Sequence, residues 1–383
     1  MNLNDCLNFN DFRNLAKKKL PAPIFHYIAG GSDDERTLNR NTEAFDDCDL
    51  VPKILANVGK PDLSTTVFGR KISMPIFLSP AAMQRLYHPE GDKASARAAE
   101  KFNTFYSMST MSNNSIEQIA NLSSGPKLFQ LYIHKDQSIT DDLIDRCKRA
   151  NFDGLCLTVD TIVAGNRERD HRTGFTTPPK LTLKSLFSFA IKPKWVFDYL
   201  TNEKFELSNV KNKTDKGTNI TKSVIEYINE QYDPGMNWSD AEYVVKRWDK
   251  PFAIKGVMSV EDAKRAVDIG CTAIMISNHG GRQLDGSRSP FDQIKLISDA
   301  VGDKVDIILD GGVRRGTHVL KAIAAGAKAC SFGKAFLFSL SAGGQKGVEK
   351  LLQNMHDEIQ RNMILMGCKN LKDLNYSKLI FRR

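Results

Sequence analysis

Short apolar runs alternate with longer amphipathic ones along most of the chain after residue 75. Eight of the short runs read as strands: 75–78, 104–107, 127–130, 154–159, 252–255, 273–276, 305–309 and 329–332. A short, continuous apolar run fits a strand buried on both faces. Helical patterns lie between them. One runs from Gly91 through Ala94, Ala98 and Ala99; another follows Ser259, a residue suited to capping a helix start; a third begins at Gly316 and is closed by Gly326. Eight strand–helix units in a row predict an α/β fold, a parallel (β/α)₈ TIM barrel. An open doubly wound sheet is the structural alternative. No Gly-x-Gly-x-x-Gly follows the first strand, which counts against a dinucleotide site of that kind.

One spacing breaks the rhythm. Successive strands mostly begin roughly 20–35 residues apart, but more than 90 residues separate Asp160 from Lys255. The fourth unit therefore carries a long insertion after its strand. Residues 12–20 and 23–29 have helical patterns and precede the barrel as an N-terminal helical cap. The expected layout is a single domain over 1–383: a cap over 1–73, barrel over 74–160 and 251–345, and an insertion over 161–250.

Composition adds limits. Hydrophobic residues make up 41% and charged residues 26% of 383, as in ordinary soluble proteins. No apolar run approaches the ~20 residues of a membrane span, and the polar start lacks a signal-peptide core, so a cytoplasmic location is expected. The seven cysteines are scattered and unpaired in spacing, which argues against a disulfide framework and a zinc site. The other histidines (His26, His88, His134, His171, His318 and His356) show no metal-ligand spacing, and no metal is expected. A net charge of +9 suits an anionic small molecule or an anionic membrane surface. It suits nucleic acid less, because no recognition motif for it is present.

Candidate chemistry collects at strand ends, where barrel enzymes place their sites. The run from Ser277 to Asp285 follows the strand 273–276 and puts His279 and Arg282 on a glycine-rich turn. A histidine can take a proton near neutral pH, and an arginine can grip a carboxylate with two parallel hydrogen bonds. The pair suits a small acid that loses a proton beside its carboxylate. A surface turn with a satisfied histidine remains open on this run alone. The other strand ends hold Ala81 and Ala82; Ser109; Gln130 with Tyr132; Thr158 with Asp160; Lys255; Asp310, Gly312 and Arg314; and Gly333 with Lys334. Singly, Tyr132, Thr158 and Ser277 also read as core-edge polar groups and Asp160 as a helix cap. A lysine buried at position 255 would be costly without a purpose.

These residues resemble the FMN-dependent α-hydroxy-acid dehydrogenase and oxidase family, in particular its bacterial L-lactate (quinone or cytochrome type) and mandelate dehydrogenases. The likeness runs from about Phe12 to Gly367. It rests on Tyr27–Gly31, Pro80–Gln84, His88–Gly91, Phe129–Tyr132, Thr158–Thr161, Ile254–Val257, Ser277–Asp285 and Asp310–Gly316. The resemblance implies FMN as cofactor. It implies that His279 is the general base, that Asp160 pairs with its far ring nitrogen, and that Arg282 and Tyr27 hold the substrate carboxylate. Tyr132 would meet the substrate oxygen, Arg167 would be a second cation, and Lys255 would lie near flavin N1. Gln130, Ser109, Thr158 and Ser277 would contact the ring and ribityl chain, with the backbone at Ala81 and Ala82 facing N5. Asp310 would take a ribityl hydroxyl, and Gly312, Arg314, Gly333 and Lys334 would surround the phosphate.

Three departures stand out. Lys334 replaces the family's usual arginine, keeping the charge but losing the bidentate fork. Met111 replaces an aromatic on the pocket wall, and Ala164 a bulkier apolar residue, so a substrate larger than glycolate is expected. Between residues 180 and 222, nine lysines stand against four acids, interleaved with aromatics and leucines. That mixture suits peripheral attachment to an anionic membrane at the inner face of the cell membrane; a flexible lid, or a helix packed on a neighbouring subunit, is the alternative. The expected activity is oxidation of an L-2-hydroxy acid, L-lactate first, with electrons passing to quinone or another carrier. Oxygen is the second choice of acceptor, a non-catalytic FMN-binding barrel the competing class, and a homotetramer the expected assembly.

Overall fold

The computed structural model describes residues 2–175, 180–203, 205–210 and 233–382. In chain order the elements are α1 (Phe9–Lys19), α2 (Ala22–Ala29), α3 (Arg36–Glu43), β1 (Cys48–Leu50), β2 (Thr65–Val67), β3 (Arg70–Ile72), β4 (Ile76–Leu78), α4 (Gly91–Lys101), β5 (Tyr106–Ser109), α5 (Ile116–Leu122), β6 (Lys127–Leu131), α6 (Gln137–Arg149) and β7 (Gly154–Thr158). The insertion contributes α7 (Glu168–Thr173), α8 (Leu183–Ala190) and α9 (Pro193–Thr201). Then come α10 (Trp238–Trp248), β8 (Phe252–Val257), α11 (Val260–Asp268), β9 (Ala273–Ile276), α12 (Pro290–Val301), β10 (Asp306–Asp310), α13 (Gly316–Ala324), β11 (Ala329–Phe332), α14 (Lys334–Leu365) and β12 (Leu379–Phe381).

Strands β4 to β11 pair in parallel in chain order, and β11 returns to β4, so the sheet closes into a barrel. Closure removes the open-sheet alternative. All eight predicted strands are present. The second starts two residues late because the Thr104 amide still closes helix α4 on Ala99 O at 3.0 Å.

Alternation along each strand sorts the core. Phe77, Leu128, Cys156, Ala253, Met275, Ile308 and Ala329 form one buried cluster inside the barrel, while their neighbours Ile76, Phe129, Leu157, Ile254 and Leu309 join the larger core with the helices. The β2–β3 hairpin adds Val67 and Phe68 to the inner cluster, and the Phe68 ring meets Phe105 edge-on at 5.7 Å. Each fully buried phenylalanine or leucine contributes roughly 1.5–3 kcal/mol. The hairpin thus seals the amino-terminal mouth and leaves the carboxyl-terminal mouth open.

Two features lay outside the sequence pattern. β1 pairs antiparallel with β12, joining Cys48–Leu50 to Leu379–Phe381. Trp238–Trp248, inside the span read as insertion, is a ring helix packed beside α6. The lysines at 204, 211, 213, 216 and 222 lie outside the described residues. No described helix is long and apolar enough to cross a membrane.

Candidate active site

A cavity of about 1040 Å³ opens where the strand carboxyl ends meet α2, α8 and α9. Two strand pairs set its floor in register: Ser109 beside Gln130, and Thr158 beside Lys255. A bulge then follows Lys255, at Gly256 (φ +115°), where a Cβ would come within 2.8 Å of Asp160 Cβ. Glycine there makes room for Asp160 to stand behind His279.

The His279 loop is held from across the chain. Asn278 and Asn41 exchange side-chain bonds at 2.8 and 2.7 Å, and the Asp285 carboxylate accepts the α3 amides of Thr37 at 2.8 Å and Arg36 at 3.3 Å. A carboxylate at a helix start satisfies donors that the helix leaves free. His279 itself has a left-handed backbone (φ +57°), followed by Gly280 and Gly281 in the same region. At Gly281 a Cβ would meet Leu38 N at 2.4 Å, so the loop packs directly on α3.

His279 Nδ1 lies 2.8 Å from Asp160 Oδ1, which leaves Nε2 to the cavity. Burial lowers the imidazole pKa, Asp160 opposes that fall, and Lys255 adds to it. The ring is therefore neutral and able to accept a proton. Burial pushes the Asp160 carboxyl up, but His279 and Lys255 outweigh it and keep it ionised. Lys255 Nζ reaches Ser277 Oγ at 2.9 Å, Asp310 at 3.0 Å and Asp160 at 3.8 Å. Burial works against its charge, yet the two carboxylates more than restore it. Asp310 also accepts from Ser79, Ser331 and Ser277, and despite burial its pKa falls to about 2.

The opposite wall is cationic. Arg282 Nη1 bonds Tyr27 O at 2.5 Å and Gly30 O at 3.3 Å, while Lys334 Nζ bonds Ala29 O at 3.1 Å and Gly30 O at 2.7 Å. Both cations rest on the carbonyl end of α2, where the helix dipole is negative. Arg282 also lies 4.8 Å over the Tyr27 ring, with Arg167 at 5.9 Å. Arg314 bonds Val313 O at 2.8 Å and covers Phe9 at 4.3 Å. Burial lowers Arg314 to about 10 and Lys334 well below the lysine range. Among the described residues, no carboxylate comes within ion-pairing distance of Arg282, Arg314 or Lys334. Buried cations without carboxylate partners are costly unless an anion meets them.

Of the residues singled out from sequence, Tyr27, Ala81, Ala82, Ser109, Met111, Gln130, Tyr132, Thr158, Ala164, Arg167, Lys255, His279, Arg282, Asp310, Gly312, Arg314, Gly333 and Lys334 all line this cavity. Two do not. Asp160 stands behind His279, as its pairing requires. Ser277, expected on the flavin, is fully buried behind the wall and braces Lys255 and Asp310 instead. Sequence reasoning missed Asn41 and Asn278, which fix the loop, and Asp170, a carboxyl on the wall raised by burial despite nearby Arg282 and Arg167.

The family model for FMN-dependent dehydrogenases matches residues 16–381. The chain belongs to that family. It is 38% identical to glycolate oxidase 5 of Oryza sativa subsp. japonica, over 99% of this chain and 96% of that one. Among solved structures, it resembles the monotopic membrane protein (S)-mandelate dehydrogenase with a TM-score of 0.94 and 31% identity, covering 99% and 100% of the two chains. Mandelate oxidase with (S)-4-hydroxymandelic acid follows at a TM-score of 0.86 and 33% identity, covering 98% and 99%. The protein is an FMN-dependent α-hydroxy-acid oxidoreductase on a (β/α)₈ barrel.

The residues present fit FMN. Arg314 and Lys334 offer buried charge to a phosphate beside Gly312 and Gly333, after the last two barrel strands. Gln130 and Thr158 line the same cavity, and their Nε2 and Oγ1 are buried polar atoms without a protein partner. Unsatisfied polar groups at such depth call for a polar ligand.

Proposed function

We propose that this protein oxidises an L-2-hydroxy acid to the 2-keto acid with dioxygen as electron acceptor, releasing hydrogen peroxide. The observation that carries the reading is the His279–Asp160 pair facing the same cavity as Arg282 and Tyr27. Arg282 leaves the α2 carbonyls to hold the substrate carboxylate, joined by the Tyr27 hydroxyl, with Arg167 as a second cation nearby. Tyr132, whose hydroxyl burial keeps protonated, meets the substrate C2 oxygen. His279 Nε2 takes the substrate proton, and Asp160 stabilises the imidazolium that forms. Bound FMN supplies the acceptor for the two electrons, and Lys255 offers it a fixed positive charge. Lys334, Arg314, Gly312 and Gly333 would hold the phosphate, Gln130, Ser109, Thr158 and the Ala81–Ala82 backbone would meet the ring, and Asp310 would meet the ribityl chain.

Oxygen is favoured over the quinone or carrier that the sequence alone put first, because the curated relatives spanning the chain are named oxidases. A peroxidase-coupled assay tests this: turnover without peroxide overturns it. Met111 and Ala164 on the wall support L-lactate or a larger acid over glycolate. Anaerobic bleaching of the yellow protein by glycolate, L-lactate, longer 2-hydroxy acids and mandelate ranks them; bleaching by none of the panel sinks the hydroxy-acid reading.

A carrier-linked enzyme on the inner face of the membrane is the second reading. It is favoured by the outer face of α8–α9, where Leu183 is 86%, Leu200 73% and Phe187 66% exposed beside Lys184, Lys192 and Lys194. Equal membrane flotation with and without residues 181–215 removes it. The homotetramer is likewise proposed, and sedimentation decides it.

A further inference from the structure

Gln283 directly follows Arg282 and reaches back across the mouth. Its Nε2 donates to Asp160 O at 2.9 Å and to Val163 O at 2.7 Å. Its Oε1 accepts from Gly165 N at 3.1 Å and from Arg167 Nη2 at 3.5 Å. All four contacts fall on one irregular segment, residues 160–167, which follows β7 and opens the insertion. That segment carries Asp160, Ala164 and Arg167. Its outer residues are loosely covered: Val163 is 58% exposed. Farther along, Asn166 is tied to Asp33 by bonds of 2.8 and 2.9 Å.

The two loops also touch directly. A Cβ on Gly165 would come within 2.2 Å of Arg282 O and 2.9 Å of Gln283 Cα. Packing this close passes any shift of one loop on to the other. A carboxamide tip combines two donors with an acceptor, so one side chain ties carbonyls and an amide of the same segment.

We propose that Gln283 is a positioning residue that sets Asp160 and Arg167 in place relative to His279 and Arg282, and so couples the start of the insertion to the base. Its activity readout rests on the hydroxy-acid reading above; its spectroscopic readout does not. The charged groups acting on His279 are Asp160 from the loop after β7, Lys255 from β8 and Arg167 from just before α7; Asp310 acts in turn on Lys255 and Asp160, and the neutral Tyr132 lies near Asp160. Asp160 raises the proton affinity of the ring, and Arg167 lowers it by less. Loosening the segment therefore lowers the histidine pKa.

Gln283→Met keeps the length and Gln283→Leu keeps the bulk near the stem; each removes the polar tip and adds no charge. Each is expected to retain FMN and melting temperature. Each should lose about 10–100-fold in kcat/KM, the scale of a small misplacement of reacting groups. The acid limb of the kcat/KM profile should move to lower pH. In flavin-free protein with ¹³C-labelled histidine, the His279 ring should titrate at lower pH than in the unaltered chain. An unmoved limb and ring titration, or a loss explained wholly by missing FMN, overturns the proposal. So does failure of both variants to fold, which makes Gln283 a folding element. If the unaltered protein bleaches with no 2-hydroxy acid, the functional reading fails, and the ring titration still decides the role of Gln283.

Discussion

On the side of the mouth built by β7 to β11, side chains meet through directional bonds over long sequence separations. Asn41 joins Asn278, Thr37 joins Asp285, and His279 joins Asp160. On the side under α8 and α9, rings pack on rings: Phe189 with Trp195 at 5.3 Å, and Trp195 stacked on Tyr199 at 5.2 Å. The ties of α8 and α9 include Trp195 Nε1 to Leu86 O at 2.8 Å and the Ala22 amide to Ser188 Oγ at 3.2 Å. Hydrogen bonds fix angles, whereas apolar contact tolerates sliding. The polar side is suited to holding reacting atoms, and the apolar side to selecting what enters.

Substitutions that separate the two sides follow, largest effect first. His279→Ala should bind FMN and lose about 10²–10⁴-fold in the rate of bleaching by substrate, measured by anaerobic stopped flow; fast bleaching refutes the assigned base. Arg282→Met should lower kcat/KM about 100-fold, the scale of a charged hydrogen-bond pair, with KM and kcat both affected. Steady-state kinetics that change KM alone would mean uniform binding only. Lys334→Met should weaken FMN about 10-fold by fluorescence titration, yet raise the melting temperature of flavin-free protein, because an ammonium buried without a carboxylate disappears.

The pH profile gives a smaller, signed effect. The base must be neutral to act, and burial lowers its pKa below the ordinary ~6.5. Activity in kcat/KM should therefore stay level through neutral pH and fall only in acid, below that value. A limb above it breaks the assignment. On α9, Trp195→Ala should change KM by about 10-fold for bulky acids, the scale of a lost apolar contact, and leave L-lactate within the scatter of the assay. An equal loss for both would place α9 among the groups that hold the reacting atoms.

The barrel was legible because strands covered on both faces are continuous apolar runs. β1 and β12 were not: each has three residues, and their pairing spans nearly the whole chain. His279 and Arg282 could be read as a unit because one turn carries both. Asn41 gave no local sign, since its partner Asn278 lies 237 residues away. Ser277 was misplaced because a polar residue at a strand end can face the cavity or its neighbours, and spacing alone does not distinguish them. The resting place of Arg282 and Lys334 on the α2 carbonyls depends on where that helix ends in space.

The Phe68 plug has a kinetic consequence. Among the described residues, hydroxy acid, keto acid and electron acceptor then reach the site from the same carboxyl-terminal mouth. Departing product then obstructs the next arrival, and keto acid should inhibit competitively against its own precursor.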